Sequence, residues 1–101
     1  MLYLVNWTIP IENRDKIIQR FLKTGGLPPP GVKLVGRWHA MGHMLGFGLA
    51  EAENPLDVQR WMLQWTDLMH LQVHPAMTDA EYAPLLAQML QHTADTPSVS
   101  P

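Results

Sequence analysis

The chain is 101 residues long, 47% hydrophobic and 16% charged, with a net charge of −2 and no cysteine. That length supports one domain with one core, and the missing cysteines exclude disulfides, thiol catalysis and cysteine-ligated zinc. A weakly acidic chain makes no electrostatic case for nucleic acid or an anionic membrane, and no run approaches the ~20 apolar residues of a membrane span.

Leu2 to Ile9 alternates as a strand, with Tyr3, Val5 and Trp7 on one face and Leu2, Leu4, Asn6 and Thr8 on the other. Pro10 ends it. From about Asn13 to Lys23, Ile17, Ile18, Phe21 and Leu22 recur at helical spacing opposite Lys16, Arg20 and Lys23. Thr24-Gly25-Gly26 stops this helix, since glycine suits the left-handed position past a helix end. Leu27 to Gly31, with three prolines, is a stiff connector. Val32 to His39 forms a second strand and Ala40 to Gly42 a three-residue hairpin loop. The third strand runs from His43 to about Glu51, with Gly46 and Gly48 on one face and Leu45, Phe47 and Leu49 on the other.

Asn54-Pro55 starts a second helix, Asn as cap and Pro at the first position. Its apolar stripe is Val58, Trp61, Met62, Trp65, Leu68 and Met69, and its expected end is near His70. Leu71 to Met77 reads as the fourth strand. Thr78 and Glu81 form a capping box for a last helix through Leu90, in which Pro84 should kink the axis or mark the first turn. One domain over residues 1–92 is expected, followed by a frayed tail over 93–101.

The order β-α-β-β-α-β plus a terminal helix is the ferredoxin-like α+β arrangement, an antiparallel sheet with both main helices on one face. Apolar residues of both parities on the first and third strands predict that both sheet faces are covered. A second copy's sheet is the economical cover, so a homodimer is expected. Residues 1–50 carry six bases against two acids, and residues 51–101 carry Arg60 against seven acids. Internal complementarity is the simplest use of that asymmetry. The first residues lack the basic and long apolar stretches of a signal peptide, and with no cysteine the expected location is cytoplasmic.

Gly36-Arg37-Trp38-His39, the glycine-bearing strand ending in Glu51, and Trp65-Thr66-Asp67-Leu68 before His74-Pro75 resemble a family of short bacterial proteins. That family is known only as domain of unknown function 3303, and the resemblance covers roughly residues 1–78. It implies a dimeric α+β barrel, a superfamily that includes cofactor-independent monooxygenases, haem-degrading enzymes, lactone isomerases and members with no known reaction. None of their catalytic signatures maps onto this chain residue by residue, so the resemblance implies a fold and no activity.

Five histidines are the most suggestive feature. With Ala40 to Gly42 as the loop, His39 and His43 face each other across the hairpin at about 5 Å, close enough to chelate a metal. A catalytic zinc wants three protein ligands, and His74 lies three inter-strand steps of about 4.8 Å away, so the third would have to come from a partner. Structural or surface roles account for the histidines without a metal, and no cofactor is expected. His70, placed at a helix end, would complement the helix dipole.

Trp7, Trp38, Trp61 and Trp65 could wall an aromatic pocket, although helix packing alone accounts for Trp61 and Trp65. Gly46 and Gly48 leave room above the sheet for a close helix or a ligand. His39 and His74 are the candidates for proton transfer; an acid–base pair would have to join Asp or Glu to His, and Glu51, near the end of the third strand, is the one carboxylate candidate. Serine occurs only at Ser98 and Ser100, which excludes a serine hydrolase. The expected function is binding of a small apolar or aromatic molecule between sheet and helices, monooxygenase- or isomerase-like. The alternative is a non-catalytic dimeric module that binds a protein partner or a regulatory ligand.

Overall fold

A computed structural model describes residues 1–95. Strand β1 is Leu2–Thr8, and a single 3-10 turn, Ile11–Asn13, leads into helix α1, Arg14–Thr24. Strands β2 (Val32–His39) and β3 (Leu45–Ala52) form the hairpin, followed by helix α2 (Pro55–Leu63), strand β4 (His70–Ala76) and helix α3 (Asp79–Asp95). The four strands make one antiparallel sheet in the order β2-β3-β1-β4, the ferredoxin-like topology. Pro75 sits in β4, an edge strand, where its missing N–H costs no ladder bond.

Side-chain alternation decides which face is inner. Tyr3, Val5 and Trp7 of β1 are buried, as are Ala50 and Ala52 of β3, and Ile17 of α1 and Val58, Trp61 and Met62 of α2 pack over them. Both helices therefore cover one face. On β2 a bulge between Leu34 and Gly36 resets the alternation, so that Leu34 faces Ala50 but Arg37 and His39 face Gly48 and Gly46.

The helix boundaries follow local chemistry. Gly25 caps α1 with φ of 72° while its N–H donates to the Phe21 carbonyl at 2.7 Å. The Asn54 side chain accepts from the Leu56 N–H at 3.0 Å, with Pro55 at the first position of α2. The Thr78 hydroxyl accepts from the Glu81 N–H at 3.2 Å, and the Glu81 carboxylate accepts from the Thr78 N–H at 3.0 Å.

Several expectations are corrected. Helix α2 ends at Leu63, not near His70. Trp65, Leu68 and Met69 stay on the buried stripe because a chain of tight turns continues the winding, with Trp65 N–H on Met62 and Leu68 N–H on Trp65. His70 consequently opens β4 and meets no helix end. The hairpin loop is Ala40 to Met44, five residues instead of three, and His39 pairs with Gly46 and not His43. Leu22, expected on the apolar stripe of α1, is exposed.

Helix α3 runs past Thr93 to Asp95, so the expected tail begins within a helix, and its remainder, 96–101, lies outside the described residues. Pro84 sits inside α3, beyond the first turn.

Candidate functional site

The strand register lines up two rows of residues on the inner face. His39, Gly46, Trp7 and Leu71 form one row across β2, β3, β1 and β4, and Arg37, Gly48, Val5 and Val73 form the next. Both polar residues come from β2. Three strand steps of about 4.8 Å then lead to the aliphatic side at β4. The two glycines keep the middle of each row low.

At Gly46 the space is already used. The Trp7 indole lies directly against it, with Nε1 only 2.6 Å from where a Cβ would sit. Gly48 is different, since a Cβ there would meet nothing closer than 3.6 Å. Neither glycine opens a ligand space by itself; Gly46 seats the tryptophan that becomes a cavity wall.

A cavity lies between this floor and the helices. Its walls are Trp7, Val5 and Ile9 from β1 and its exit, Ile17 and Phe21 from α1, Trp61, Met62, Trp65 and Met69 from α2 and the turns after it, and Leu71 from β4. The cavity measures about 60 Å³, or about 540 Å³ of empty space when its open mouth is included. Arg20 and Asn13 fix the roof. Arg20 makes a two-pronged ion pair with Asp67, both bonds 2.8 Å, and donates to the Gln64 carbonyl at 2.8 Å. The Asn13 amide donates to the Leu68 carbonyl at 2.9 Å, so α1 is tied to the turns after α2.

Arg37, His39 and His43 supply the polar lining. The Arg37 guanidinium donates to the carbonyls of Gly26 at 2.8 Å and Gly25 at 2.9 Å, the electronegative end of α1, and stacks on Phe21 with its centre 4.9 Å from the ring. Burial pulls its pKa down from the ordinary value, but an arginine remains charged. His39 stands exposed at the mouth, edge-on to Trp7 at 5.9 Å and to Phe21 at 5.7 Å. Desolvation first, then the charge of Arg37 and the neighbouring His43, hold its pKa below the usual histidine value.

His43 takes a left-handed backbone with φ of 64°, uncommon outside glycine, and this folds its ring back over His39. The two rings stack at 6.0 Å, 23° from parallel. That is a stacked pair and not the directly opposed placement expected across a three-residue loop. His43 Nε2 is buried with no hydrogen-bond partner among the described residues. No group of three or more histidines and carboxylates suited to a metal occurs among the described residues.

Of the sequence candidates, Trp7, His39, Trp61 and Trp65 line the cavity together. Trp38 does not: it lies on the outer sheet face, 59% exposed, folded over Gly36. His74 and Glu51 also fall on that outer face, with His74 paired to Leu4 on an edge strand. The geometry thus separates His74 from His39. Sequence reasoning missed Arg37 as a site residue, although it shares strand parity with His39, and the paired carbonyls after α1 call for a cation.

No curated protein matches the chain. Among solved structures it is similar to Rv0793 from Mycobacterium tuberculosis at 8% identity, over 78% of this chain and 97% of that one, with a TM-score of 0.47. The model of one family, described as a domain of unknown function (DUF3303), matches residues 1–90, and the chain belongs to that family.

Proposed function

We propose that the protein binds a small, flat aromatic molecule in the cavity between the sheet and helices α1 and α2. The observation that carries this is a mouth-open space walled by Trp7, Trp61 and Trp65, with Met62 and Met69 beside them and one exposed histidine at the entrance. Aromatic walls with few polar groups suit a planar apolar ligand. An engineered cavity that holds benzene measures about 150 Å³. The space here is smaller, about 60 Å³, so in this reading the unbranched Met62 and Met69 shift to admit the ring. A monooxygenase- or isomerase-like reaction in this space would use His39 for proton transfer, while His74 would take no part.

The working unit in this reading is a cytoplasmic homodimer formed through the outer sheet face. Leu4, Trp38 and Phe47 are all exposed there. The same surface would serve the alternative reading, a non-catalytic module whose outer face meets a different protein.

Tryptophan fluorescence tests the binding reading, because a ring seated beside three indoles must change their emission. Titration with one- and two-ring aromatic and quinone compounds should give a saturable change. The change should persist in His74→Ala, on the far face. A broad panel with no saturable response overturns the ligand reading and leaves the partner-binding module.

A further inference from the structure

We propose that the ligand is an aromatic acid, one ring carrying a single anionic oxygen group, with the ring among the tryptophans and the anion against Arg37, His39 and His43. This deepens the binding reading above and rests on it.

The first ground is charge. The cavity lining holds one cation and no aspartate or glutamate. Among the described residues Arg37 has no carboxylate partner; its bonds go to the neutral carbonyls of Gly25 and Gly26. A partly buried cation without a counter-ion is costly, and an anion entering the cavity lowers that cost. Two of the five guanidinium N–H donors are used by those carbonyls, which leaves others free to donate.

The second ground is unmet hydrogen bonding. His43 Nε2 is buried without a partner among the described residues, and His43 lines the same cavity. Such an atom recovers a lost bond when a ligand oxygen reaches it.

The third ground is layout. Arg37 and His39 both stand on β2, and His43 folds back over His39 from the loop after it. Along the same rows, Trp7 and Val5 follow on β1, then Leu71 and Val73 on β4. The floor therefore runs from a cationic and imidazole side to an aliphatic side. A molecule with an acid at one end and a ring at the other matches that polarity, and an aromatic amine opposes it.

Benzoate, benzamide and benzylamine have nearly the same shape and differ in charge, so they separate the possibilities. Binding to the intact protein would be followed by NMR of the tryptophan indole and histidine ring signals. Benzoate should bind at least tenfold more tightly than benzamide and shift the His39 and Trp7 signals, and benzylamine should fail to compete. His43→Ala should weaken benzoate more than benzamide. Arg37→Met should remove the preference for the acid, and Arg37→Lys should restore part of it. The lysine variant guards against a loss of folding, since Arg37 also holds the end of α1. Equal binding of benzoate and benzamide, or a preference for benzylamine, overturns the acid while leaving the aromatic cavity standing. Benzoate binding that leaves His39 and Trp7 signals unmoved also overturns it. Failure of all three ring compounds overturns the acid, and the binding reading falls with it when the broader aromatic and quinone panel also gives no saturable response.

Discussion

His39 sits where three influences on an imidazole meet: partial loss of water, the Arg37 charge and a second imidazole. All three disfavour the protonated form, so its folded-state pKa lies below the ordinary 6.5. The unfolded chain then binds this proton more readily than the folded one. Stability from this residue is complete above the ordinary histidine range and is lost as pH falls through the folded value. An NMR titration should find His39 below 6.5. A His39→Phe variant, which keeps a ring against Trp7 and Phe21, should show a flatter fall in melting temperature between neutral and mildly acidic pH. An upward-shifted His39 would mean that a carboxylate reaches the site. The histidine residues also show where sequence reasoning stops. That Arg37 and His39 share a strand face follows from alternation, but which face it is does not, because the bulge before Gly36 resets the parity. The pairing with His43 is hidden as well, because it depends on a non-glycine residue taking a left-handed backbone in a five-residue loop.

Among the elements, strands β1 and β3 illustrate how two glycines on one face do different jobs. Gly46 carries the Trp7 indole in direct contact, whereas Gly48 has ordinary clearance from Trp7 and Val5. Gly46→Ala should therefore displace Trp7 and cost roughly 1–3 kcal/mol by overpacking, visible as a clear drop in the thermal midpoint. Gly48→Ala should sit close to wild type. Equal effects would mean that the indole does not rest on Gly46 in solution. Most element boundaries were legible because their signals are local: Gly25 after α1, Asn54-Pro55 before α2, and Thr78 with Glu81 before α3 each act within four residues. The end of α2 was not legible. Trp61, Trp65, Leu68 and Met69 keep helical spacing after the regular helix stops, because the turns that follow wind almost as a helix does. The bulge on β2 was also hidden, since the lone Gly36 after Val35 does not by itself separate a bulge from an ordinary strand glycine, yet the bulge determines that Arg37 and His39 face the cavity. Cavity walls from separate elements, such as Ile17 and Met69, emerge only when α1 and the turns after α2 meet.

At the scale of the molecule, the outline itself is informative. The described chain has a radius of gyration of 18.5 Å and a longest dimension of 59 Å, where about 13 Å is usual for a compact domain of this length. Helix α3 is the reason: every side chain from Asp79 to Thr93 is exposed, including Tyr82, Leu85, Leu86, Met89 and Leu90 at helical spacing. An isolated 17-residue helix gains little stability without tertiary packing. The outer sheet face has a matching surplus, with Trp38 59% and Phe47 48% exposed. Neither apolar surface is covered by the described residues, and both suit the proposed second copy, for which a standard interface needs about 800 Å² from each partner. Light scattering after gel filtration at micromolar concentration should report twice the chain mass. Trp38→Glu combined with Phe47→Glu should give a folded monomer, because the charges strike the outer face and leave the buried cluster around Trp7 and Trp61 alone. Leu86→Glu should weaken the dimer without abolishing it, as expected of an arm that adds to an interface centred on the sheet. A wild-type monomer under these conditions overturns the paired-sheet assembly. A dimer that survives the double sheet substitution but not Leu86→Glu moves the interface from the sheet to the arm.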